Sequence, residues 1–321
     1  MTVPDNAIVI ACAADQDYVR PLAVMLQSLL ANLGTGRTAR IHVLHGGIDD
    51  RDRAVLTELC ARNRGTLLWV SAQDTRFAGA PLWGRMTVTT YYKLALSDLL
   101  SRDVRKVIWL DSDLAVLGDI ARLWDEPIGE RHALAVPDAV VRYVSSRCGI
   151  AGYRELGIPP RARYFNAGVM VIDLALWRRD RVSERALEYV RQYRDRVWFW
   201  DQEGLNAVLA GQWGELDSRW NHNASVPGGA TPGGSVAGSS WIVHFAGNLK
   251  PWRYARHPQR DVYFRYLDMT SWQGWRPAWS LSSTMIGLYE KIGLRTMLYP
   301  VEHWAMRFLR VLSRRSVAEH P

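Results

Sequence analysis

Lys106-Val107-Ile108-Trp109-Leu110-Asp111-Ser112-Asp113 joins an apolar run directly to a pair of carboxylates. The run is β-branched and aromatic, and it has the length of a strand rather than of a helix. It is continuous rather than alternating, so both its faces are covered, as in a parallel sheet layered between helices. Acids at the lip of such a strand are costly unless something cationic faces them. Their spacing of two puts both on neighbouring loop backbone, able to grip one hard cation, and oxygen ligands of this kind suit Mg2+ or Mn2+.

Toward the N-terminus the same architecture repeats. Ala7 to Ala13 reads as a buried strand, followed by a helix from Tyr18 to Ala31 with Leu22, Met25, Leu26, Leu29 and Leu30 at helical spacing. Arg40 to His45 is a second strand closed by Gly46-Gly47, Asp49 or Asp50 can cap a helix carrying Val55, Leu56 and Leu59, and Thr66 to Val70 is a third strand. This alternation predicts an α/β domain with a mostly parallel sheet. Further along, Thr89-Thr90 leads into a helix through Leu94 and Leu100. Ala133 to Val136, Gly168 to Ile172 and Trp241 to His244 are short strands. Helices cover Val182 to Arg194 and begin again near Asp201, and residues 221–240 read as a Gly-, Ser- and Pro-rich loop.

Bulk properties narrow the class. The chain has 321 residues, 48% of them hydrophobic, enough for a core and against disorder. Its net charge of +8 suits an acidic partner such as a nucleotide, a phosphorylated acceptor or an anionic membrane face. Cys12, Cys60 and Cys148 lie far apart with no CxxC pair, which argues against a disulfide framework or zinc knuckle and for a reducing compartment. No signal-peptide pattern and no long apolar span stand out, so the expected location is cytoplasmic.

The character changes at about residue 275. Leu298, Val301, Trp304, Ala305, Phe308, Leu309 and Leu312 share one helical face, with Arg307, Arg310, Arg314 and Arg315 beside them. The division expected is a domain over residues 1–274 and a basic, aromatic helical segment over 275–321, lying peripherally on an anionic membrane face.

The pattern Asp-x-Asp occurs at residues 15–17, 50–52 and 111–113. The middle one falls at a helix start, where acids favour the helix dipole; the others follow strands, where an open α/β sheet collects its ligands. His244 also closes a strand and is followed by Gly247 and Lys250. A glycine there lets backbone approach a diphosphate, and a lysine meets it as a point charge.

The chain resembles glycosyltransferase family 8, which includes bacterial lipopolysaccharide galactosyl- and glucosyltransferases and glycogenin. The resemblance runs from about Ile8 to Trp252. It is carried by Ala13-Ala14-Asp15-Gln16-Asp17-Tyr18, Thr89-Thr90-Tyr91-Tyr92-Lys93-Leu94, Asp111-Ser112-Asp113, Phe165-Asn166-Ala167-Gly168-Val169, Asp201-Gln202 and His244 through Trp252, in family order. It implies a GT-A fold, Mn2+ (or Mg2+) as cofactor, a UDP-hexose donor (galactose or glucose) and retention of anomeric configuration. By the same resemblance Asp111, Asp113 and His244 look like metal ligands. Ala13, Asp15 and Tyr18 would hold uracil and ribose, with Asp17 close by. Gly247 and Lys250 would contact the diphosphate, and Thr90 and Ser112 also join the donor site. Lys93, Asn166, Asp201 and Gln202 would surround the donor sugar, with Asp138 facing it. Lys93 stands where some bacterial members have Arg, which gives up a bidentate fork.

Gln202 occupies the family's nucleophile position, and an amide oxygen is a poor nucleophile, so same-face attack is expected. The acceptor is expected to be a saccharide, lipid-linked in view of the C-terminal helix and of Arg142, Arg147, Arg154, Arg161 and Arg163 in residues 139–164. Two other readings compete: a haloacid-dehalogenase-like phosphatase, and a non-catalytic peripheral membrane protein that binds nucleotide sugar. In the phosphatases the acidic motif opens the domain and has Thr or Val where Ala115 stands. No nucleic-acid-reading motif is present.

Overall fold

The computed structural model describes residues 7–72, 75–82, 86–225, 240–247, 250–254 and 257–278. The amphipathic pattern at Leu298–Leu312 therefore lies outside the described residues, as does most of the Gly-rich stretch.

In chain order the elements are β1 (Ala7–Ala14), α1 (Val19–Ala31), β2 (Thr38–His45), α2 (Asp50–Arg62), β3 (Gly65–Ser71), α3 (Leu96–Leu99), β4 (Lys106–Leu110), β5 (Leu114–Val116), α4 (Ile120–Trp124), β6 (Ala133–Pro137), β7 (Phe165–Asp173), α5 (Leu174–Arg179), α6 (Val182–Gln192), α7 (Trp200–Val208), β8 (Trp213–Glu215), β9 (His222–Asn223), β10 (Ile242–His244) and α8 (Arg260–Leu267). A large sheet has the order β3-β2-β1-β4-β7-β6-β8. Its pairs are parallel from β3 to β4 and again between β6 and β8, while β7 runs antiparallel to both its neighbours. The predicted α/β class and mixed, mostly parallel sheet are what the chain forms.

β1 shows why. All its residues are buried, and successive side chains enter opposite cores. Val9, Ala11 and Ala13 pack with the helices α5, α6 and α7. Ile8, Ile10, Cys12 and Ala14 pack with α1, α2 and α4. The period of two and the helices on both faces account for its uninterrupted hydrophobicity.

Several local expectations shift. Thr89 to Leu100 is a 3-10 run, Val88–Ala95, followed by the short α3. Asp49 takes the N-cap position of α2 but its side chain makes no capping bond; Asp50 and Asp52 lie in the first turn instead. Most consequential is β7, which begins at Phe165 rather than Gly168. Where β6 steps from Ala135 to Val136, the partner on β7 jumps from Met170 to Asn166. Ala167, Gly168 and Val169 thus form a bulge on that side, a device that frees backbone groups from the ladder.

A second sheet, β5-β10-β9, was not foreseen as a unit. Its β10 pairs antiparallel with β5, setting His244 opposite Leu114. α8 covers it through Tyr263, Phe264, Tyr266 and Leu267. Beyond residue 274, Trp275 lies under Arg20, 4.2 Å from its ring centre, and Arg276 pairs with Asp268 at 2.7 Å. No helix among the described residues is long and apolar enough to cross a membrane.

Two buried histidines carry a consequence for stability. Burial, with Arg40 adding to it, lowers the pKa of His42 to about 4. Burial, with Lys250 adding to it, lowers that of His257 to about 4 as well. Between pH 6.5 and 4 the unfolded chain therefore binds protons that the folded chain excludes, and acid favours unfolding. Each site should remove about 2 kcal/mol of stability by pH 5 relative to pH 7. The urea midpoint should fall less from pH 7 to pH 5 in a His42→Gln, His257→Gln double variant than in the wild type; equal falls would refute this.

Candidate active site

The carboxyl ends of β1, β4, β6 and β10 and the start of β7 meet at one end of the molecule, the region where open α/β sheets bind ligands. Asp111 and Asp113 flank Ser112 immediately after β4, and β5 begins at Leu114. Because His244 sits opposite Leu114, and the Phe245 N–H donates to the Asp113 carbonyl at 3.0 Å, the imidazole is delivered to the carboxylates. One ligand atom from each of Asp111, Asp113 and His244 lies within 4.8 Å of the others. His244 Nε2 is 3.3 Å from Asp113 Oδ1 and 4.0 Å from Asp111 Oδ2.

Two buried ammonium groups press on this cluster. Lys250 donates to Asp113 and to the Phe245 carbonyl. Burial alone would raise the Asp113 carboxyl, but Lys250 and His244 hold it far below the usual carboxylate range. Lys93 Nζ lies 2.8 Å from Asp201, 3.3 Å from Asp111 and 3.0 Å from the Ala167 carbonyl. Burial opposes its charge, yet Asp111 and Asp201 raise its pKa and keep it protonated. Its hydrogens are committed to these partners, so Lys93 braces the carboxylates. Trp109, one pleat before Asp111 on the same strand face, donates its indole N–H to Asp111 Oδ1 at 2.8 Å.

The group fits a divalent cation. The donor set of two carboxylates and an imidazole suits Mn2+ or Mg2+.

A second cluster adjoins the first. Asp138 Oδ2 accepts from Asn166 Nδ2 at 3.0 Å and from Gln202 Nε2 at 3.2 Å. Gln202 Oε1 accepts from the Ala167 N–H at 3.0 Å, and Thr90 Oγ1 donates to Asp201 at 2.8 Å. Asp201 and Gln202 open α7 just after Trp200, whose φ of 43° is left-handed, a strained choice for a bulky residue. Glu203 holds that turn by accepting from the Trp198 N–H at 2.6 Å.

Ala13 and Asp15 lie at the end of β1. Asp15 Oδ2 accepts from Thr87 at 2.7 Å, while its buried Oδ1 has no hydrogen-bond partner among the described residues. The Tyr18 ring packs edge-on against Trp252, and burial raises its hydroxyl pKa. Gly247 has φ +79°, a conformation that suits glycine. Ser112 is buried. Asp17 is exposed, and its side chain makes no hydrogen bond or ion pair among the described residues. Trp109, Thr87 and Asn221 belong to the site and were not predicted. The two-residue spacing of Trp109 from Asp111 was a usable signal; Asn221, far from His244 in sequence, offered none.

The model of glycosyl transferase family 8 matches residues 9–256. General stress protein A of Bacillus subtilis is 30% identical over 281 residues, covering 84% of this chain and 96% of that protein. The lipopolysaccharide 1,3-galactosyltransferase of Salmonella typhimurium is 25% identical over 272 residues, 82% of this chain and 78% of that one. Among solved structures, the galactosyltransferase LgtC in complex with donor and acceptor sugar analogs superposes with a TM-score of 0.71 at 27% identity, covering 82% of this chain and 96% of that one.

Proposed function

The chain belongs to glycosyl transferase family 8, and from that membership we propose a divalent-metal-dependent transfer of a hexose, galactose or glucose, from a UDP-sugar to a saccharide or glycolipid acceptor with retention of configuration. The observation that carries this reading is the convergence of Asp111, Asp113 and His244 beside Lys250. Mn2+ is the preferred ion, since an imidazole joins the carboxylates.

The residues divide the work. Asp15 and Tyr18 hold the nucleoside. A divalent ion on Asp111, Asp113 and His244 would supply Lewis-acid stabilisation of the departing diphosphate. Lys250, fixed in place, faces the charge that grows on the β-phosphate oxygen as the anomeric C–O bond breaks. Asp138, Asn166 and Asp201 orient donor hydroxyls, and Lys93 keeps Asp111 and Asp201 in position. The Gln202 oxygen already accepts from the Ala167 N–H, which supports its role as a positioning group rather than a nucleophile. The acceptor hydroxyl then attacks the anomeric carbon from the face UDP leaves, and its proton passes to the β-phosphate oxygen. A product of inverted configuration by NMR would exclude this scheme.

UDP release from a panel of UDP-sugars should be seen with one UDP-hexose in Mn2+ and vanish in EDTA. Absence of both release and Mn2+-dependent UDP binding would overturn the reading. The intact catalytic cluster favours turnover over mere binding of nucleotide sugar. The basic segment 275–321 supports an acceptor presented at an anionic membrane face; flotation with anionic vesicles that persists after its removal would exclude that part.

A further inference from the structure

His244 Nδ1 lies 2.9 Å from Asn221 Oδ1, Asn221 Nδ2 donates to Asn166 Oδ1 at 2.9 Å, and Asn166 Oδ1 also accepts from the Gly168 N–H at 2.9 Å. At its far end, Asn166 Nδ2 donates to Asp138 Oδ2 at 3.0 Å. Each amide could in principle be turned over, but the ends of this chain cannot. A backbone N–H only donates and an ionised carboxylate only accepts. Gly168 therefore requires Asn166 to present its oxygen, and Asp138 requires it to present its nitrogen on the other side. Asn221 must then offer its NH2 to Asn166 and its oxygen to His244. That oxygen requires a proton on Nδ1, which leaves Nε2 as the nitrogen that faces Asp111 and Asp113 and can give its lone pair to a metal ion.

We infer that Asn221 is a positioning residue that, through Asn166, fixes the tautomer and ring orientation of His244 for metal binding and ties the metal site to the donor-sugar cluster. The inference rests on the reading of His244 as a metal ligand. Asn221 is buried at the end of the helical turn Ser218–Asn221, just ahead of β9, and β9 runs parallel to β10. The small second sheet thus carries both the ligand and its support. Partners of this kind hold ligating imidazoles in one tautomer, and their loss typically lowers metal affinity about 10- to 100-fold.

The test measures Mn2+ affinity without turnover, by the electron paramagnetic resonance signal of free Mn2+ in the presence of UDP. Asn221→Ala should weaken Mn2+ binding about 10- to 100-fold. Asn221→Asp keeps an acceptor for Nδ1–H but cannot donate to Asn166. It should hold Mn2+ at least as well as wild type while raising KM for the UDP-sugar more than it lowers kcat. A residue important only for folding would not be rescued by Asp in one property and impaired in the other. Wild-type affinity in Asn221→Ala, with affinity lost in His244→Ala, would overturn the inference alone. Wild-type affinity in both variants would overturn the reading of His244 as a metal ligand.

Discussion

Asp113→Asn should fold and lose about a thousandfold or more in turnover of the donor, equivalent to about 4 kcal/mol of transition-state stabilisation. Asparagine preserves the shape and one acceptor oxygen but removes the charge. Asp113 is the residue on which three features converge: the His244 ring at 3.3 Å, the Lys250 ammonium and the backbone link from Phe245. Its depressed pKa follows from that company, after burial has worked against it. The neutral amide should therefore weaken metal-dependent UDP binding, measured by calorimetry, as well as turnover. It also leaves Lys250 buried with less compensation, so some melting temperature should be lost in the metal-free protein. Turnover within tenfold of wild type would exclude Asp113 from the metal site.

Gly168→Ala, a single added methyl, should cost about 100-fold in activity through a different route. A Cβ at this position would sit 2.4 Å from His244 Cε1, 2.9 Å from its Nδ1 and 3.0 Å from Asn166 Oδ1. The ring is buried and held by Asn221, so it cannot yield without breaking that hydrogen bond. Glycine is required here by close approach, on the β7 bulge that frees the Gly168 N–H for Asn166. The strain should cost about 1–3 kcal/mol of stability. Circular dichroism should show the native fold, while Mn2+ affinity falls. Wild-type Mn2+ affinity would mean that the ring moves freely and that the close contact has no part in positioning it.

Much of the donor site was legible because its residues sit where strands end. Ile8 to Ala14 and Val107 to Leu110 are apolar throughout because helices cover both faces, and the acids that follow them have to be at an edge. Asp111, Asp113 and Asp15 could be found on that reasoning. His244 stood out by its strand end and by the Gly247 and Lys250 that follow it, whereas Asn166 and Gln202 were reached through the resemblance, since a lone polar residue at a strand or helix end carries no mark of its partners. Lys93 was placed near the sugar. Its amine is enclosed by Asp111, Asp201 and a carbonyl, an arrangement that depends on the 3-10 run Val88–Ala95 packing against β1 and α7.

The sequence by itself determined the layered α/β architecture, because hydrophobic period and strand length are local properties that water imposes on any chain folding this way. It also determined the chemical types at the site: hard oxygen donors, one imidazole and lysines. Only the tertiary structure decided how they meet. The pairing of β5 with β10 carries His244 to Asp113, and the break in register between Ala135 and Val136 turns Ala167 and Gly168 toward Gln202, Lys93 and Asn166. Both are contacts between segments distant in sequence, and their hydrogen bonds are made by backbone groups that every residue but proline possesses, so no side-chain pattern announces them.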